Sequence, residues 1–276
     1  MSVQGFTCVY PVQLSPLNCQ GGRAYFFLAK IIIFVVNFSF TRVQMKNYPG
    51  NKNIPGLIQK IVNQIPVCEN FYELFAGSAA VSKFLSVRSR GTNFFINDID
   101  PGVTDKNNYP AGSTVTTVPA DDIIKKLISV PASKETFVFV DPPYLKFTRP
   151  HQLKLYKYDM TVEDHKNLLS DLVQLKCNCM IIHPDCSTYN EYLKTFRILK
   201  IKVRYNTKTS LENIYMNYSV PDRLLVYDFV GFDCWDRQRI KRKGDRLIKK
   251  ILSLPAVEKN YILNRISSIN LKTHES

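Results

Sequence analysis

At 276 residues the chain suits one α/β domain with additions or two small domains, and 45% hydrophobic content allows a sizeable core. Thirty-seven basic residues against 23 acidic leave a formal net charge of +14, which points to a polyanionic partner, nucleic acid before an acidic membrane surface. Seven cysteines without regular spacing make no disulfide framework and fit free thiols in a reducing, cytoplasmic setting.

Residues 1–44 differ from the rest. "AYFFLAKIIIFVVNFSF" (24–40) is apolar but interrupted by Lys30, marginal for a membrane span and without a small-residue cleavage site. We read Met45 as the natural start, against the alternatives of a membrane anchor or extra strands. From residue 54 the pattern alternates. "IPGLIQKIVNQI" puts Leu57, Ile58, Ile61, Val62 and Ile65 on one helix face. "FYELFA" (71–76) reads as a buried strand, "GSAAVSKFLSVR" (77–88) as a helix, and "NFFIN" (93–97) and "STVTTV" (113–118) as strands. "ADDIIKKLISV" (120–130) is a helix with acidic residues in its first turn. "FVFV" (137–140) is a buried strand, and a helix over 161–175 takes Thr161 as its N-cap. "CNCMIIH" (177–183) is a strand and 188–196 a helix; 198–204, 212–218 and 223–229 are late strands. Such alternation predicts an α/β fold, a mostly parallel sheet with helices on both faces, with a domain over 45–230 and a basic helical tail over 231–276.

Ligand sites in such sheets lie beyond the carboxyl ends of the strands. Three predicted strands end in chemistry-bearing residues: Phe75-Ala76-Gly77, Asn97-Asp98 and Asp141-Pro142-Pro143-Tyr144. Gly77 lets backbone approach a ligand, with helix amides beyond it, although alone this is better read as a tight packing turn. Asp98 can grip ribose hydroxyls or close a simple turn before Pro101; its spacing of about twenty residues from the glycine turn favours a nucleoside. Asp141 and the Pro142 carbonyl can accept hydrogen bonds from an exocyclic amine, and Tyr144 can stack on its planar base. The alternative is a proline turn that ends a strand. In "CNCMIIHPDC", Cys177 and Cys179 alternate within an apolar run, so buried structural thiols are preferred over a zinc site with His183 and Cys186.

Taken together these motifs resemble the Dam-like family of adenine-specific DNA methyltransferases, from about Met45 to Ile266. "NYPGNK" (47–52) resembles the family's N-terminal cofactor motif, with Asn47 and Asn51 as departures, and implies cofactor contacts from Tyr48, Gly50 and Lys52. "FAGSAAV" resembles its Phe-x-Gly-x-Gly motif, with Ala79 in place of the second glycine, and implies Phe75, Gly77 and Ser78. "NDID" resembles the ribose-binding turn through Asp98, and "ADDI" implies Asp122 near the cofactor's adenine. "DPPY" matches the catalytic motif in full: Asp141, Pro142, Pro143 and Tyr144.

The resemblance implies a Rossmann-like methyltransferase fold, S-adenosylmethionine as donor, no metal, and transfer to the amino group of a flipped adenine in DNA. A restriction-modification setting with a companion endonuclease is also implied. A cytosine-amino or RNA methyltransferase, and a degenerate nucleic-acid-binding protein, stay open as alternatives. Only 40 residues, 101–140, separate "NDID" from "DPPY", too few for the family's target-recognition insert. DNA contact is therefore expected from Lys146, Arg149, Lys154 and Lys157 in the loop after the catalytic motif. It is also expected from Arg239, Lys241, Arg242 and Lys243 in "RQRIKRKGDRLIKK" (237–250), which holds eight basic residues and one acidic.

Overall fold

Strand burial sets the architecture. The five residues of strand Thr136–Val140 are all buried, and their side chains divide by period two. Phe137 and Phe139 enter one core, Val138 and Val140 the other. A strand apolar on both faces can only sit in the middle of a sheet covered on both sides. The computed structural model describes residue 52 and residues 56–104, 109–131, 135–149, 156–205 and 208–272. The chain divides into two compact units, Met1–Gln44 and Met45–Ser276, and every described residue belongs to the second. The apolar 24–40 stretch lies outside the described residues.

In chain order the elements are α1 (Leu57–Val62), β1 (Asn70–Leu74), α2 (Ala80–Ser86), β2 (Asn93–Asn97), β3 (Thr114–Thr116), α3 (Ala120–Ser129), β4 (Thr136–Val140) and α4 (Val162–Leu172). There follow β5 (Asn178–Pro184), α5 (Ser187–Tyr192), β6 (Arg197–Tyr205), β7 (Lys208–Met216), α6 (Cys234–Leu252) and α7 (Ala256–Lys272). The sheet runs β3-β2-β1-β4-β5-β7-β6, with all pairings parallel except those of β7 to β5 and β6. This is the mostly parallel, Rossmann-like sheet that the resemblance implied.

One core packs α1 and α2 on Phe71, Phe137, Phe139, Met180 and Ile182. The other packs Ile124 of α3, Leu168, Leu169 and Leu172 of α4 and Tyr189 of α5 on Val138, Val140, Cys179 and Ile181. Thr161 caps α4 by accepting from the Asp164 amide at 3.1 Å, and Asp164 returns the bond to the Thr161 amide at 2.8 Å. The predicted strand over 223–229 does not form. Only Leu224 makes an isolated bridge, to Pro66, and the Leu225 amide donates to the Ile65 carbonyl at 2.9 Å. Leu224 and Val226 are buried as irregular chain, Val226 in the same core as α1, so the apolar run reports burial rather than pairing. No helix among the described residues is long and apolar enough to cross a membrane.

Candidate active site

The strand order turns back between β1 and β4, and the ends of β2, β1 and β4 therefore lie side by side. The Ala76 amide donates to the Asn97 carbonyl at 2.9 Å and the Asp141 amide to the Leu74 carbonyl at 3.4 Å, so all three predicted motifs open on one edge. A cavity of about 310 Å³ sits there. It is lined by Phe75, Ala76, Gly77, Ser78 and Asp141, by Asp98, Asp100 and Asp121, and by Tyr156, Tyr158 and Met160.

The turn after β1 is unusually bent. Phe75, Gly77 and Ala79 all have left-handed backbone, with φ of 57°, 49° and 49°. Gly77 adopts this freely, whereas the two side-chain-bearing residues do so at a cost of about 1–2 kcal/mol each. Asp98 holds the turn in place. Its Oδ2 accepts from the Gly77 amide at 2.8 Å, and its Oδ1 from the Asp100 amide at 2.9 Å. On the other side the Tyr109 hydroxyl donates to the Gly77 carbonyl at 2.9 Å. Asp98 is thus a turn residue whatever else it binds, and burial raises its carboxyl above the usual range.

Glu73, in the middle of an apolar strand, is a site residue that the motif reading passed over. It is buried and accepts from the α2 amides of Val81 at 3.3 Å and Ser82 at 2.7 Å. The helix amides expected to face a ligand are therefore already filled by a carboxylate. Burial pushes Glu73 up to about 7 despite those bonds. A lone glutamate in "FYELFA" was the available signal, because a buried acid in a strand needs a dedicated partner.

Asp141 lines the cavity beside Lys52. Lys52, itself buried, places Nζ 2.7 Å from Asp141 Oδ1, donates to the Tyr144 hydroxyl at 2.8 Å, and sits 4.9 Å from the Tyr144 ring centroid. An amine thus already occupies the position assigned to a substrate amine. Burial raises Asp141 to about 6, with Lys52 opposing and Glu212 adding to the rise.

The Pro-Pro turn is braced from below. Prolines supply no amide donors, and the first amide after Tyr144, that of Leu145, donates to His183 Nε2 at 3.0 Å. His183 Nδ1 in turn faces the Pro184 carbonyl at 2.8 Å, which sets the neutral tautomer. The His183 ring stacks on Tyr189 at 3.8 Å and meets Tyr144 edge-on at 5.2 Å. Burial holds His183 down at about 3 and His165, which reaches Tyr189's hydroxyl at 2.8 Å, at about 4.

Other expectations resolve differently. Asp122 is exposed and does not line the cavity; Asp121 does, because α3 begins at Ala120 and one residue turns a side chain by about 100° around a helix. Burial, with Asp171 next in effect, raises Asp121. Arg149, expected to touch DNA, is buried. It donates to both oxygens of Asp159 at 3.0 and 2.5 Å and to the Tyr144 carbonyl at 2.6 Å, and so ties the end of the Asp-Pro-Pro-Tyr turn to Asp159. Lys146 is exposed, and Lys157 is exposed at the rim, 3.7 Å from Asp100. Arg239, Lys241, Arg242 and Lys243 are exposed on α6. Tyr48, Gly50 and Lys154 lie outside the described residues. Cys177 and Cys179 are buried free thiols, and among the described residues no group of three or more His, Cys, Asp or Glu is placed to hold a metal.

No family profile matches the sequence, and no curated protein matches it. Among solved structures the chain is similar to an S-adenosylmethionine-dependent methyltransferase from Agrobacterium tumefaciens, with 12% identity, TM-score 0.40, and 58% of this chain and 60% of that one covered. It is also similar to the Pyrococcus abyssi tRNA (uracil-54, C5)-methyltransferase, at 16% identity and TM-score 0.37, with 58% of this chain and 36% of that one covered. A third is M. capricolum TrmK, at 10% and TM-score 0.38, with 78% and 95% covered. The chain spans 60% and 36% of the first two. Likenesses of this size carry no argument about substrate or activity.

Proposed function

We propose that the chain transfers a methyl group from S-adenosylmethionine to the exocyclic amino group of adenine in DNA. The observation that carries this reading is the Asp141–Tyr144 turn at the sheet's switch point: Asp141 and Pro143 line the cavity, and Lys52, held by Asp141, also reaches the Tyr144 hydroxyl.

The cavity fits the donor. Seven acidic side chains line it, from Glu73, Asp98, Asp100, Asp121, Asp141, Asp159 and Asp164, against Lys52, Lys157 and the Arg149 that pairs with Asp159. In a chain of net charge +14 such a wall favours a cationic ligand, and the donor carries a sulfonium and an ammonium. Glu73 already fills the α2 amides, which disfavours a phosphate-bearing dinucleotide and leaves room for a phosphate-free nucleoside. Phe75, Gly77 and Ser78 would support it, Asp98 and Asp100 would meet ribose hydroxyls, and Asp121 the adenine amine. When bound, the donor supplies an electrophilic methyl group.

The chain's own residues do the positioning. Ionised Asp141 accepts from the target amine, the Pro142 carbonyl takes its second N–H, and Tyr144 stacks on the flipped base. Asp141's negative charge supports the positive charge that develops on nitrogen before a proton is lost to solvent. Lys52 must give up Asp141 for the base to enter.

Purified protein incubated with methyl-labelled donor and unmethylated DNA or RNA, followed by nucleoside digestion, tests the reading. N6-methyladenine in DNA is the expected product. Label in RNA alone or on cytosine replaces the substrate, and no label in any nucleic acid overturns the activity.

A further inference from the structure

We infer that the exposed tryptophan–arginine stripe of α6 is a binding surface for unpaired nucleic-acid strands, with Trp235 stacking on a base. Trp235, Arg239, Arg242 and Arg246 recur at i, i+4, i+7 and i+11, and therefore share one side of the helix over about 16 Å. They line a single open groove of about 570 Å³ together with Gln238 and Asp245, a net excess of two positive charges. The helix start is rigid: Asp233 accepts from the Asp236 amide at 2.8 Å, and Asp236 accepts from the Phe232 amide at 3.1 Å. Asp236 also pairs with Arg239 at 2.7 Å, one helical turn from Trp235.

Trp235 is 74% exposed and neighbouring Phe232 92%. A flat indole left in water beside guanidiniums has the two parts of a single-strand platform: a face for any base and charges for the backbone. A duplex satisfies only the charges, because its bases are already stacked on one another. The groove is thus selective for strand state rather than sequence. It requires nucleic acid as partner but not methyl transfer, and its test needs no donor.

Trp235 is the only tryptophan in the chain, so its emission reports this groove alone. The full chain is titrated with oligothymidylate of about 16 nucleotides, a duplex of equal length, heparin, and phosphatidylcholine vesicles containing phosphatidylserine. The single strand is expected to quench the emission and to bind more tightly than the duplex, whereas heparin binds without quenching. With a dye-labelled strand followed by anisotropy, Trp235→Ala is expected to lose about 5- to 150-fold in affinity, and Trp235→Phe to keep most of it. Heparin affinity should be the same in both variants, and circular dichroism and urea unfolding matching the wild type show that they are folded. Quenching of Trp235 by the duplex as strong as that by the single strand, unchanged single-strand affinity in Trp235→Ala, or a blue shift on vesicles with no quenching by the oligonucleotide each overturns the inference.

Discussion

Replacing Lys52 with methionine keeps the stem and removes the charge that opposes Asp141's burial. The ammonium lies 2.7 Å from the carboxylate, with 3% and 17% of the two side chains exposed. An opposite charge so close lowers a carboxyl pKa by about one to three units, roughly 1.4–4 kcal/mol. Asp141 stands at about 6 with Lys52 in place. Without it the group should titrate between about pH 7 and pH 9. The ionised fraction at pH 7 then falls from about nine-tenths to between about one-half and one-hundredth, and methyl transfer falls about 2- to 100-fold. Raising the pH should restore the rate to wild type or above it, because the competing amine is gone. Single-turnover methyl transfer from about pH 5 to about pH 9 gives the profile. An acid limb at the same pH in both proteins would refute the electrostatic role of Lys52, and a loss independent of pH would make it a structural prop.

Asp141→Ala should cut methyl transfer about a hundredfold or more while donor affinity, read by calorimetry, moves only a few-fold; near-normal activity excludes it from the chemistry. Asp98→Ala strips the acceptor from two loop amides and should cost about 1–3 kcal/mol in urea unfolding besides weakening donor binding, and an unchanged midpoint would mean the turn holds itself. Glu73 goes from its ordinary 4.5 to about 7 on folding, so the folded protein holds the extra proton and stability falls as pH rises across that window, by about 3 kcal/mol. Glu73→Gln should flatten that decline, and an identical pH–stability curve would show that the glutamate does not titrate there. Arg149→Met leaves half-buried Asp159 and the Tyr144 carbonyl without their donor and should destabilise by about 1–3 kcal/mol. A loss below about 1 kcal/mol together with weaker DNA binding would return Arg149 to the role of a DNA contact.

What could be read from the chain was what local pattern dictates. Period-two burial on both sides marked β4, and the ends of β1, β2 and β4 converge because a parallel sheet leaves them no other edge. The misreadings came where a single side chain's direction mattered. Asp121 and Asp122 differ by one step around α3, and a motif spacing does not resolve that step. Arg149 reads as surface charge until Asp159, ten residues on, is brought against it. Residues 223–229 are apolar enough for a strand, but β7 already has neighbours on both sides in β5 and β6. His183 had no local signal, because its value lies in reaching Leu145, 38 positions earlier.

That last contact separates mechanics from charge. The group bracing the Asp-Pro-Pro-Tyr turn uses both ring nitrogens in its neutral form, and its burial keeps it neutral down to about pH 3. Asp141 changes charge some three pH units higher. Over the interval in which the carboxyl titrates, the turn's underpinning is electrically silent, so a pH profile measured there records the cavity's own acids, Asp141 and Glu73, being switched on rather than a loop coming loose.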